Sequence, residues 1–150
     1  MKGYYMFKTI VVPIDIAHPE RVKSSLEAAS KLALAHGSKL YLLHVVEQLP
    51  GYVLTEVPEG FRDSMKEGAT AEIKKIAAAQ ELPATAQVLV REGHVYHTIL
   101  SVAGDVGADL IVIASHNPGM ADYLLGSVAA RVVRHAHCSV LVLRDAGPRA

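Results

Sequence analysis

Gly126 and Ser127 stand directly before a helical stretch near the carboxyl end of the chain. The first turn of a helix leaves N–H groups unpaired, and its dipole favours an anion there. Gly126 has no Cβ to hold a ligand away from the backbone. Ser127 adds a hydroxyl donor and is expected to cap the helix. Together they suit a phosphate group. A Gly-Ser pair is also an ordinary helix start, and the dipeptide alone does not choose between the two. The preceding connection weighs for a ligand. Residues 115–125 form an irregular stretch about twice the roughly 2–6 residues usual between a strand and a helix.

Asp15 ends the apolar run Ile10-Val11-Val12-Pro13-Ile14. It has two readings. It contacts a ligand, through a ribose hydroxyl or a cation bridging to phosphate, or it satisfies local N–H groups at a turn. His116 lies in the long connection, either as a phosphate donor or acid or as a solvated loop residue. His135 and His137 follow Arg131 and Arg134 at a helix end, where cations complement the dipole. His44, inside a strand, reads as a hydrogen-bonded interior residue, and Cys138 as a small buried one. No residue stands out as a general base, and no lysine occupies a phosphate loop.

Strands and helices alternate along the chain. The spacing predicts a strand over residues 7–15 and a helix from Pro19 to the left-handed cap Gly37, with Val22, Leu26, Ala29 and Ala33 as its buried stripe. A strand over 39–46 and a loop over 48–60 follow. A helix is expected over 61–80 and a half-exposed edge strand over 85–91. A helix opened by Gly93 and closed by Gly107 comes next, then a buried strand over 110–114. The helix begun by Ser127 and a last strand over 139–143 complete the order. Runs without polar alternation, in the first and fourth strands, imply burial on both faces. The fold class is therefore α/β: an open five-stranded parallel sheet, order 3-2-1-4-5, with helices on both faces. Winding reverses between strands one and four. Ligands of such sheets bind beyond the carboxyl ends at that reversal, here residues 13–17 and 114–127.

Composition narrows the function. The 150 residues carry 15 basic and 15 acidic side chains, so no net field attracts a nucleic-acid backbone. One cysteine excludes an internal disulfide and fits a reducing cytoplasm. The start lacks the apolar core of a signal peptide, and no apolar run approaches the ~20 residues of a membrane span. The eight histidines form no His-Glu-x-x-His zinc pattern. One domain over residues 6–145 with flexible termini, 1–5 and 146–150, is expected.

From Met6 onward the chain resembles the universal stress protein family. The resemblance rests on Phe7-Lys8-Thr9-Ile10-Val11-Val12-Pro13-Ile14-Asp15, on Leu42-Leu43-His44-Val45-Val46, and on Ala114-Ser115-His116-Asn117-Pro118. It continues through Tyr123-Leu124-Leu125-Gly126-Ser127-Val128-Ala129 and Arg134-His135-Ala136-His137-Cys138-Ser139-Val140-Leu141-Val142-Leu143. Nucleotide-binding members carry Gly, two residues, Gly, nine residues, then Gly-Ser or Gly-Thr. Here Ala114 and Asn117 replace the first two glycines, and eight residues separate Asn117 from Gly126. Ala-Ser-His-x-Pro is similar to a branch also associated with ATP.

The resemblance implies an adenine nucleotide: ATP, ADP or AMP. Pro13, Ile14 and Asp15 would flank the adenosine, with Mg2+ as the candidate cation near Asp15. Val45 would pair its backbone with the adenine edge. Ile113 and Ala114 would floor the pocket, with Ser115 and His116 at its rim. Gly126, Ser127 and Val128 would hold phosphates, assisted by Ser139. It also implies a homodimer through residues 139–143, with a tetramer as a larger assembly. The expected function is nucleotide binding in a stress response, with ATP hydrolysis slow at most. The alternative is a nucleotide-free homodimeric interaction module with a vestigial crevice.

Overall fold

A computed structural model describes residues 6–115 and 125–144. The tails 1–5 and 145–150 and the segment 116–124, with His116 and Asn117, lie outside the described residues.

The elements run β1 (Thr9–Pro13), α1 (Pro19–His36), β2 (Lys39–Val46), α2 (Gly51–Leu54) and α3 (Phe61–Ala77). They continue with β3 (Gln87–Glu92), α4 (Val95–Asp105), β4 (Leu110–Ser115), α5 (Ser127–His135) and β5 (Ser139–Arg144). The five strands form one sheet in the order β3-β2-β1-β4-β5, and every pairing is parallel. Both the order and the class are those the burial of the strands predicts.

The two faces bury separate cores. Ile10, Val12, Leu40 and Leu42 meet Leu26 of α1 and Ile73 of α3. Val11, Leu43 and Ile111 meet Ile99 of α4 and Val132 of α5 on the other side. β1 and β4 alternate between these cores, so their residues are apolar without interruption. Val22, Leu26, Ala29 and Ala33 are all buried, and Gly37 ends α1 at φ 64° as the left-handed cap.

Several boundaries differ from expectation. The β1 ladder stops at Pro13, which has no N–H to extend it, rather than at residue 15. The segment 48–60 contains one helical turn, α2, entered from Pro50. α3 ends at Ala77, short of residue 80. α4 begins at Val95 with His94 as its N-cap, so Gly93 belongs to the preceding turn. Gly93 sits at φ 152°, and its N–H donates to the Val46 carbonyl (2.9 Å). Ser127 is the first helical residue of α5 and not its cap. Gly126 is the N-cap, and among the described residues no side chain caps that end.

Candidate functional site

β1, β2 and β4 end on the same side of the sheet, where the first two crossovers, through α1 and α3, leave to one face and the last two, through α4 and α5, to the other. The diverging chains leave a cavity of about 580 Å³. That lies within the roughly 300–1,000 Å³ range of small-molecule sites. Pro13, Ile14 and Asp15 leave β1 along its floor, joined by Ile113 and Ala114 of β4 and Val45 of β2. Gly126, Ser127 and Val128 bring the start of α5 to its wall.

The fold explains how each arrives. The Ile14 N–H donates to the Leu43 carbonyl (2.7 Å), the bond that pairs Pro13 with Leu43 at the end of the ladder. Asp15 then turns the chain. Its Oδ1 accepts the Ala17 N–H (3.0 Å), and its carbonyl accepts the His18 N–H (3.2 Å). The turn reading of Asp15 is therefore present, and its exposed carboxylate also lines the cavity. At the far wall the Gly126 N–H donates to Ser115 Oγ (3.2 Å). This bond ties the end of β4 to the start of α5 across the 116–124 segment.

Two expected site residues stand elsewhere. Ser115 is buried, its hydroxyl holds Gly126, and it does not line the cavity. Ser139 pairs with Leu110, the first residue of β4, and so lies at the amino end of the strands. Five strand residues at about 3.3 Å each separate it from the cavity end, too far to touch a phosphate there. Its assisting role is corrected on that ground. His116 lies outside the described residues.

Some lining residues escape a reading of the sequence. Arg21, in the first turn of α1, reaches the cavity from one face, and Val95 and Ile99 of α4 close it from the other. Glu47 adds a carboxylate. The expected interior hydrogen bond of His44 is present, because Nδ1 lies 2.8 Å from the Ile14 carbonyl. A carbonyl only accepts, so Nδ1 carries the proton and a neutral ring has Nε2 as an acceptor. His44 is also one of the residues that line the cavity. Alternation along β2 could have flagged it, since His44 adjoins Val45 at the strand's mouth.

Charge at the cavity is mixed, with Asp15 and Glu47 against Arg21. Among the described residues no group of three or more His, Cys, Asp or Glu side chains is placed to hold a metal ion. No described helix is long and apolar enough to cross a membrane.

The model of the universal stress protein family matches residues 6–144. Universal stress protein G of Escherichia coli O157:H7 is 32% identical over 146 residues, covering 93% of this chain and 100% of its own. Universal stress protein Sll1654 of Synechocystis is 34% identical over 142 residues, covering 94% and 88%. Among solved structures, the hypothetical protein MJ0577 superposes with a TM-score of 0.75 at 22% identity, covering 95% of this chain and 99% of its own. A universal stress protein in complex with cAMP superposes with a TM-score of 0.62 at 22% identity, covering 93% and 98%. At those identities the two structures speak for the fold, while the family match and the curated relatives speak for descent, and this chain belongs to the universal stress protein family.

Proposed function

We propose that the protein binds an adenine nucleotide in the cavity between β1 and β4 and acts by binding rather than by fast hydrolysis. The observation that carries this is the uncapped start of α5 opening onto that cavity. Among the described residues its first-turn amides meet no side-chain acceptor, and an anion would supply one. Gly126 supports the same reading. Its φ of −58° and ψ of 154° suit any residue, so the backbone conformation does not demand glycine. Room for a phosphate beside the amides would. The adenosine would lie over Pro13, Ile14 and Val45, with Asp15 at the ribose or at Mg2+. The cAMP complex of a related fold supports a nucleotide in this class of protein. A reducing cytoplasm fits the single cysteine.

The binding reading without fast chemistry follows from how the polar groups are used. Asp15 Oδ1 is engaged by Ala17, and His44 Nδ1 by Ile14. Titration calorimetry with ATP, ADP and AMP, with and without Mg2+, tests the proposal. Saturable heat at micromolar to low millimolar nucleotide is expected, and no heat at millimolar nucleotide overturns it.

A homodimer through β5 belongs to the same proposal. Among the described residues β5 pairs only with β4, and its Leu141 is 38% exposed. Such an edge is stabilised by a covering partner. The alternative function, an interaction module without nucleotide, rests on this edge alone. Sedimentation of the nucleotide-free protein as a dimer, combined with silent calorimetry, would favour it.

A further inference from the structure

A second cavity, of about 430 Å³, opens between the start of α4 and α5. Glu47, Val95, Ser127 and Val128 line both cavities, so the two meet at the start of α5. The rest of the second cavity comes from His94, Tyr96, His97 and Arg131. Arg131 follows Ser127 by four residues, which sets both on one helix face. Its guanidinium carbon lies 5.1 Å from the Tyr96 ring centroid. The other packing on that ring is His97, stacked at 4.3 Å, and His135, tilted at 6.3 Å. The Tyr96 hydroxyl lies 3.0 Å from His97 Nε2.

Arg131 is thus held by an aromatic ring and not by a carboxylate. Among the described residues its guanidinium forms no ion pair, although Arg62, Lys31 and His18 each find a glutamate. An arginine fixed on a ring keeps its planar donors free and loses little rotamer entropy on binding. Its geometry suits phosphate oxygens in a fork. The imidazoles of His94 and His97 line the same cavity, and Glu47 is the opposing charge at the shared wall.

We propose that this second cavity is the distal compartment of the nucleotide site, in which Arg131 takes the terminal phosphate of a nucleoside triphosphate. The inference rests on the nucleotide reading above and adds to it a preference by phosphate count. The shared start of α5 holds the inner phosphates, and the chain of phosphates continues along that helix face towards Arg131.

The test is calorimetry without Mg2+ on wild type, Arg131→Gln and Arg131→Lys, with ATP, AMP and inorganic pyrophosphate. Wild type should bind ATP about tenfold or more above AMP, in keeping with one charge-assisted bidentate contact. Arg131→Gln should lower ATP affinity to near that of AMP and leave AMP unchanged. Arg131→Lys should keep part of the preference, because the charge survives without the fork. Pyrophosphate should bind weakly to wild type and more weakly to Arg131→Gln. If pyrophosphate binds as tightly as ATP, the compartment serves a free anion and the proposal fails. Equal losses for ATP and AMP in Arg131→Gln, or no loss for either, overturn it while the nucleotide reading stands. If wild type binds neither ATP nor AMP, the nucleotide reading falls and this inference with it.

Discussion

The two ends of the parallel sheet use the same strands for opposite purposes. At the amino end, side chains close the chain on itself. Asp109 accepts the N–H groups of Lys8 and Thr9 (2.8 and 2.9 Å), about a hundred residues away in sequence. Ser38 Oγ donates to the Phe7 carbonyl, and Thr85 Oγ1 to that of Ser38 (3.0 Å). At the carboxyl end the corresponding aspartate, Asp15, takes one N–H two residues along and otherwise faces a cavity. Polar groups at one end saturate the backbone. At the other, among the described residues, the first turn of α5 meets no side-chain partner and Asp15 makes only a local bond. The stability of the sheet and the binding proposed for it are therefore divided between its ends.

The largest effect that would break this comparison is at Gly126. The Gly126→Val variant keeps an allowed backbone, because φ is −58°, but its branched side chain fills the space beside the α5 amides. Nucleotide affinity should fall at least a hundredfold, about 2.7 kcal/mol. Far-UV circular dichroism and the melting temperature should stay close to wild type. Unchanged affinity in calorimetry would remove the phosphate role from this end of the sheet.

The paired aspartates test the division directly. Asp109→Ala leaves the Lys8 and Thr9 amides without their carboxylate, and should cost about 2 kcal/mol of stability. For a domain of this size that is roughly 6 °C in Tm, with nucleotide affinity little changed. Asp15→Ala removes one exposed local bond and should change stability by no more than about 0.5 kcal/mol. It should weaken nucleotide binding about tenfold if the ribose or a cation is its partner. Thermal melts and calorimetry on both variants check the cross. A destabilised Asp15→Ala that binds normally would reverse the comparison.

The architecture was legible because it follows from burial. Ile10 to Val12 and Leu110 to Ile113 are apolar on both faces, so they had to be central, and the strand order and the place of the crevice followed. The α1 stripe and Gly37 were equally plain, since helical period and a left-handed cap are local properties. The site was legible where it lies on strand ends, as at Pro13, Asp15, Val45 and Ala114. It was not legible where residues meet across elements. Arg21 and Val95 reach the cavity from helices far apart in sequence. Ser139 lay close to the motif in sequence yet at the wrong end of its strand, because a strand of six residues spans the sheet. The capping role of Ser127 failed for a one-residue reason: Gly126 takes the N-cap and Ser127 enters the helix.

The smallest effect probes the closed end through its neighbour, Cys138, which precedes β5. Burial pushes its thiol pKa up, and the Asp109 carboxylate pushes it the same way. Both disfavour the thiolate, which is the reactive form. Alkylation by iodoacetamide at pH 8 should therefore be slower than for an exposed cysteine, and should accelerate as pH rises. Asp109→Asn keeps the shape of the side chain and removes its charge. The rate at pH 8 should then rise modestly, about twofold, because burial, the larger cause, remains. The sign follows from the charge alone, since removing a nearby anion lowers the pKa and raises the thiolate fraction. A rate in wild type equal to that of a free thiol would show that the amino end is open to solvent. In that case the contrast with the carboxyl end would be one of polarity and not of closure.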